Sequence, residues 1–331
     1  MTEAAFELAL CAHLEAETDR LVARQLGGGV AQPGSRVLDV VTIEPGPDFE
    51  ARASITPRSI PSAAIDAPVG TGRFRPWRKA VDRSPEYARR VVDRAVEIGF
   101  FERDRRGGRE YVRQVARYPE RWFGSITAIE NKPDLGSPGR LETQLRIDVS
   151  LGLLDEVILA TESYVTRAHL NRLPEEIGVW RFDPEAVLDP STAESAIEII
   201  REPTPLDPES PGVELLERKP GRTDVAIVST ADKRRARRQI AERAYGKGWR
   251  TYDLPGCEAA KNGAVAGVGG LPYCAWKGRI VDPQRCGTEC PGYDPADPPT
   301  VDHERERDST SPWVADPEGK IRRQSGLDRF W

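Results

Sequence analysis

The chain has 331 residues, 31% of them charged, and a formal net charge of −5. That length can bury a full core and suits two or more units. The acidic balance excludes a protein that grips nucleic acid with its whole surface, and no apolar run of about 18 residues is present to cross a membrane. The N-terminus, MTEAAFELALCAHLEAE, lacks the basic segment of a secretory signal, so a cytoplasmic location is expected. Five cysteines in that compartment favour metal binding over disulfides. The excess of Arg over Lys, with abundant acids, suits a GC-rich genome and a saline cytoplasm.

In chain order, Thr2 is an N-cap and Glu3 lies in the first turn of a helix expected to reach about Leu26. Phe6, Leu10, Leu14 and Leu21 form its core face. Glu7 and Cys11 share another face at i, i+4, and Gly27, Gly28 and Gly29 end it. Arg36 to Ile43 reads as a strand, with Asp39 alone among apolar neighbours. From Glu44 to about Gly72 the pattern is loop, with room for one hairpin. Ser84 and Pro85 open a helix as N-cap and N1. Its face is Val91, Val92, Ala95, Val96 and Ile98, and Gly99 ends it. Phe100 to Arg113 then reads as a hairpin with Arg-Gly-Gly-Arg at its tip. Helix and hairpin together resemble a winged helix. Between Arg73 and Arg121, fifteen Lys/Arg face eight Asp/Glu, a local +7 in an acidic chain. That is the footprint of phosphate contact, with Arg103, Arg105, Arg106, Arg109 and Arg113 as candidates and DNA as the partner. The competing reading is a solvated, salt-bridged surface.

The most informative stretch is Ser125 to Leu154. Ile126, Ala128 and Ile129 form an apolar strand that ends in Glu130-Asn131-Lys132. Glu130 and Lys132, two apart, point to one face. Burying such a pair is costly unless it has a task. Pro133, Gly136 and Gly139 break the chain. A helix from Leu141 to about Leu154 follows, with Leu141, Leu145, Val149 and Leu153 inward and Gln144 and Asp148 on the polar side. Val157 to Thr161 is a buried strand. Further strands are expected at Ile177 to Phe182, Val213 to Glu217 and Val225 to Ser229. Thr192 to Ile200 reads as a short helix or a strand. A basic helix runs from Asp232 to Tyr245, either along a phosphate backbone or merely solvated.

Glu7 on a first helix, Asp39 on a strand and Glu130-Asn131-Lys132 on the next resemble the restriction-endonuclease-like superfamily, named PD-(D/E)XK after its motif. The resemblance covers about residues 1–43 and 122–182. It implies an α/β fold, a mixed sheet flanked by helices. On that basis residues 1–43 and 122–200 form a nuclease-like core, and 44–121 are an insertion carrying the winged-helix-like segment. Residues 201–255 hold linker, strands and basic helix, 256–293 a cysteine-rich metal-binding module, and 294–331 a polar tail expected to be largely disordered. Two departures stand out: Asp39 and Glu130 are far apart in sequence, and Gln144 is followed by Asp148 where some members have Gln-x-x-x-Tyr. The chain also resembles a haloarchaeal family of unknown function.

The implied chemistry is metal-dependent hydrolysis of DNA phosphodiesters, in repair or restriction. Asp39 and Glu130 would share Mg²⁺ or Mn²⁺, with the Asn131 carbonyl as a third ligand. Lys132 would hold the attacking water and offset developing charge. Glu7 and Gln144 would orient water or the ammonium. The ammonium and the metal should depress both carboxylates. The alternative is a non-catalytic DNA-binding protein on a degenerate nuclease scaffold.

Cys257, Cys274, Cys286 and Cys290 form a second constellation, within 34 Gly/Pro-rich residues. With few apolar residues, that segment is expected to lack a core, so a metal would supply its folding energy. Four thiolates suit Zn²⁺ or a [4Fe–4S] cluster. Some nucleases of the superfamily carry such a cluster on one upstream and three C-terminal cysteines, in which case Cys11 would replace Cys257. The other reading of Cys11 is a small buried hydrophobe. His13, His169 and His303 are scattered and form no catalytic pattern.

Overall fold

A computed structural model describes residues 1–137, 139–188, 195–265 and 268–310. Helix α1 spans Glu3–Glu17. The Thr2 hydroxyl caps it, accepting from the Ala5 N–H at 3.2 Å. The helix stops well short of Leu26, contrary to expectation. The Thr18 hydroxyl donates to the Leu14 carbonyl at 2.6 Å and turns the chain out of the helix. Leu21–Gly27 is instead strand β1, paired antiparallel with β2, Val37–Pro45. Leu21, Val22, Ala23 and Leu26 are buried there, so the apolar run served a sheet and not a helix face.

Between β2 and the next sheet strand lies the insertion. Where loop or hairpin was expected, it forms two short helices, α2 (Phe49–Ala53) and α3 (Ser62–Ile65). Arg52, fully buried, pins this segment by bonding both oxygens of Glu242 at 2.6 Å. Strand β3 (Arg75–Pro76), helix α4 (Pro85–Glu97) and the hairpin β4 (Phe101–Arg106) and β5 (Arg109–Gln114) follow. The Ser84 hydroxyl accepts from the Tyr87 N–H at 3.3 Å. Gly107 and Gly108, at φ 53° and 75°, supply the left-handed turn that a two-residue hairpin demands.

The core resumes with β6 (Phe123–Asn131), α5 (Leu141–Leu151), β7 (Glu156–Thr161), α6 (Arg167–Leu170), β8 (Gly178–Phe182) and β9 (Ile197–Arg201). Of the segment read as helix or strand, residues 192–194 lie outside the described residues and the remainder contributes β9. Next come the hairpin β10 (Gly212–Lys219) and β11 (Arg222–Val228), and α7 (Thr230–Lys247). A small sheet of β12 (Ala260–Val265), β13 (Val268–Cys274) and β14 (Arg279–Ile280) precedes α8 (His303–Thr310). The polar tail is therefore helical over His303–Thr310, and residues 311–331 lie outside the described residues.

Six strands build the main sheet in the order β1-β2-β6-β7-β8-β9. The β1, β2 and β6 pairings are antiparallel, β6 to β7 to β8 are parallel, and β9 is antiparallel. This is a mixed sheet flanked by helices. One face packs on α1, through Phe6, Leu10, Val40, Ile129 and Ile158. The other packs on α5 and α7, through Val41, Leu145, Leu159, Ile240 and Tyr245. The cysteine segment is not coreless as expected, because Val265, Val268, Leu271 and Ile280 bury into the α1 cluster. No helix among the described residues is long and apolar enough to cross a membrane.

Many of the cations of α7 are used inside the fold or paired. Lys233 is buried and donates to the Asp207 and Ser210 carbonyls at 3.0 and 2.8 Å. Arg237 reaches the Leu153 carbonyl and Asp155, Arg238 pairs with Asp66, and Arg234 pairs with Glu209.

Candidate functional site

Helix α1, the end of β1, the start of β2 and the end of β6 meet at one edge of the sheet. The Val40–Ile129 pairing sets Asp39 opposite Glu130 at the next position. The Asn131 N–H donates to Asp39 Oδ2 at 3.1 Å. The Asn131 amide donates to Glu7 Oε2 at 2.7 Å, which brings the first helix to the strand end. Gln25 donates to the same oxygen at 2.8 Å, and Arg24 donates to Glu7 Oε1 at 2.8 Å. Gln25 also helps to hold the Asp39 carboxyl down against its burial. It is a non-glycine residue at φ 54°, a left-handed conformation that requires support from its surroundings.

These groups line a cleft of about 650 Å³. Glu3, Glu7, Arg24, Gln25, Asp39 and Asn131 line it together with Asp282 and Arg285 of the cysteine segment. Asn131 Oδ1 is buried without a hydrogen-bond partner among the described residues. Its amide is held by Glu7, so the oxygen is oriented as an unused acceptor.

Glu130 is turned away from the cleft lining. Its Oε2 accepts from Arg36 Nη2 at 2.6 Å, and the same guanidinium reaches Asp148 Oδ2 at 2.7 Å and Oδ1 at 3.0 Å. All three residues are buried. Asp148 is thus not on the polar face of α5, as expected, but is the inward partner of Arg36. Gln144 sits half-buried on α5, outside the cleft lining. Lys132 donates its N–H to the Ala160 carbonyl at 2.9 Å, and its ammonium pairs with Glu3 at the rim.

Burial dominates the titration of this site. It pushes Glu130 up to about 7, with the Asp39 charge adding and Arg36 opposing. It also raises Asp39, against the Asn131 N–H, and Glu7, against Arg24. The expected depression is therefore reversed: desolvation outweighs the cations that reach these groups. Glu3, Glu7, Asp39, Glu130 and Asp148 stand against Arg24, Arg36 and Lys132, leaving a formal −2. Arg24, Gln25 and Arg36 escaped sequence reading. Arg36 opened the expected strand but carried no signal of its partners, and Gln25 lay inside the mistaken helix.

Cys257, Cys274, Cys286 and Cys290 are all free. Cys274, Cys290 and Cys257 each act electrostatically on Cys286, whose thiol is pushed up first by burial. Cys257 Sγ lies 3.9 Å from the Gly292 carbonyl. Cys11 is fully buried in the α1 cluster and raised by burial and by Glu7, so it behaves as a small hydrophobe. No group of three or more His, Cys, Asp or Glu among the described residues is gathered so as to hold a metal ion.

In the insertion, the Arg-rich hairpin is largely self-paired. Arg103 bonds Asp93, Arg106 reaches Asp104 at 2.7 Å, and Arg113 bonds Glu102. Arg105 and Arg109 are exposed.

Fold and site together define a mixed α/β protein with a carboxylate-lined cleft at the end of β6. Residues 21–295 match the family model of DUF5787, a family of unknown function, and the chain belongs to that family. The matched span includes Asp39, Glu130, Lys132, Cys257, Cys274, Cys286 and Cys290 but not Glu7. No curated protein and no solved structure matches the chain.

Proposed function

We propose that the protein is a metal-dependent nuclease of the PD-(D/E)XK type that hydrolyses DNA. The observation that carries this reading is the unused Asn131 Oδ1, buried beside Asp39 and Glu7 in a cleft of net negative charge. Hard oxygen donors of this kind suit Mg²⁺ or Mn²⁺. The element order also supports it: Glu7 on the first helix, Asp39 on β2, Glu130 to Lys132 ending β6, then a helix and a parallel strand. Asp39 and Asn131 would hold the cation, with Glu130 joining by turning from Arg36. Such a cation supplies charge neutralisation at the phosphate and a more acidic water. Glu7 holds the Asn131 amide and so aims its oxygen. Lys132, released from Glu3, would stabilise charge on the departing oxygen.

The helix α4 and its hairpin would act as a winged element, exchanging their Asp and Glu partners for phosphates. Exposed ion pairs are worth little, so that exchange is cheap. The four cysteines would close on Zn²⁺ or an iron–sulfur cluster, which would fix the wall that carries Asp282 and Arg285. One observation favours a second reading, a non-catalytic DNA-binding protein: Arg36 occupies Glu130, and Glu3 occupies Lys132. Incubation with plasmid, linear duplex and single-stranded DNA in Mg²⁺, Mn²⁺ or EDTA separates the two. Cleavage that needs the metal supports the nuclease; salt-sensitive binding without cleavage supports the second reading.

A further inference from the structure

We propose that a pocket lined jointly by α4 and α7 takes an unpaired nucleotide of single-stranded nucleic acid. The pocket has a volume of about 390 Å³. Tyr87 and Arg94 of α4, Gln239, Glu242 and Arg243 of α7, and the segment 59–63 line it. Ligand pockets run from ~300 to ~1,000 Å³, so this one has room for a single nucleotide. It shares no lining residue with the carboxylate cleft, so it extends the nucleic-acid reading without depending on cleavage.

The frame of the pocket is fixed from inside. A Cβ at Gly246 would collide with Ser59, so glycine there lets the segment pack directly on α7. The Ser59 hydroxyl donates to the Glu242 carbonyl at 2.6 Å, and the Ile60 N–H donates to Glu242 Oε2 at 2.8 Å. Glu242 is buried, and Arg52 bonds both of its carboxylate oxygens at 2.6 Å. The charge that faces an occupant is therefore that of Arg94 and Arg243. Arg94 shares an exposed pair with Glu97 at 2.9 Å, which is worth little. Arg243 has no ion pair among the described residues.

Tyr87 supplies an aromatic face. It is 39% exposed in the first turn of α4, and the Arg90 guanidinium stands 5.9 Å from its ring centre. An exposed ring beside arginines is the arrangement on which unpaired bases stack. In a duplex the base faces are already covered by their neighbours, so only a single strand can use the ring. Gln239 and Arg243 also line a depression with Arg235, and Arg94 also lines one with Arg89, Arg90 and Arg103. Through these shared residues the three depressions join into one band. Six arginines line it against Asp93, Glu97, Asp232 and the bound Glu242. A strand seated at Tyr87 thus has arginines for its neighbouring phosphates.

The test uses the full chain in EDTA with oligothymidylate, oligouridylate and a DNA duplex of the same length. The unaltered protein should bind a single strand, and the tighter of the two names the source as DNA or RNA. Tyr87→Ala should weaken that binding by ~5- to ~150-fold, the range of one base–aromatic stack, and leave duplex binding unchanged. Tyr87→Phe, which keeps the ring, should keep the affinity. Arg94→Gln and Arg243→Gln should each flatten the single-strand salt slope by about 0.7. No single-strand binding, undiminished affinity in Tyr87→Ala, or an equal loss on the duplex overturns the proposal. An equal hold on polyglutamate also overturns it, because the band would then read no bases. Cleavage is assayed separately in Mg²⁺. Cleavage without the Tyr87 effect removes the pocket alone, and the Tyr87 effect without cleavage removes the nuclease alone.

Discussion

Arg36 Nη2 donates to Glu130 Oε2 across 2.6 Å, and both groups are buried. The same guanidinium bonds Asp148, so one cation serves two carboxylates and the trio keeps a net negative charge. Arg36 therefore stands where a divalent cation could share the load. Arg36→Met should leave two carboxylates buried without a partner. Losing one member of a buried ion pair costs about 3–5 kcal/mol. Thermal unfolding should show that loss, and Mg²⁺ should restore part of it. A variant as stable as the unaltered protein would mean that the trio contributes no net stability.

The pH dependence follows from Glu130, which burial lifts from 4.5 to about 7. A carboxyl raised in the fold favours folding below about 4.5, and that favour is lost as pH rises through about 7. Glu130→Gln removes this titration while keeping an oxygen for Arg36. In metal-free buffer the variant should gain stability relative to the unaltered protein between those two values, by roughly 1–3 kcal/mol at full ionisation. Unfolding scans in EDTA across this range check it; a difference independent of pH would place the shift elsewhere. The same variant should lose cleavage.

Lys132→Ala should fold, bind DNA and bind metal, yet lose roughly 10²–10⁴-fold in cleavage. Asp39→Ala should also lose metal binding, measured by calorimetry with Mn²⁺. Cleavage by Lys132→Ala at the unaltered rate would end the nuclease assignment.

Replacing Arg103, Arg105, Arg106 and Arg109 with Gln tests the hairpin. For every phosphate that an arginine no longer neutralises, the log–log slope of duplex binding against salt should flatten by about 0.9. Arg103 and Arg106 already have acidic partners, so Arg105 and Arg109 should account for more of the change. An unchanged slope would reduce the hairpin to a solvated tip.

The cysteine segment should carry one metal centre per chain. Elemental analysis of fresh protein should find near-stoichiometric zinc or iron, and a broad visible band would select the cluster. Replacing Cys286 with Ser should release the metal and loosen the wall at Arg285, read as faster proteolysis between β14 and α8. Absence of both metals removes the centre.

Much of the core was legible because its signals are local. The Thr2 cap, the isolated Asp39, the strand ending in Glu-x-Lys and the Ser84-Pro85 helix start all lie within a few residues of what they specify. Three misreadings have a common cause. Leu21 to Leu26 continues the apolar content of α1, and only pairing with β2 makes it a strand. Asp148 looks solvent-facing until Arg36, 112 residues away, is brought to it. The α2 and α3 segment has little periodicity, and its order depends on Arg52 meeting Glu242 across 190 residues.

The wall of the cleft formed by Asp282 and Arg285 has a consequence for the order in which the site comes into being. Glu7, Asp39 and Asn131 leave the ribosome before Asp282 and Arg285, and domains generally fold N-terminal part first during synthesis. Asp282 and Arg285 emerge only after nearly all of the described chain has been made. A growing chain would thus hold its carboxylates before Asp282 and Arg285 can join them, and ribosome-released fragments ending before β14 would fold much of the sheet yet lack those two cleft residues.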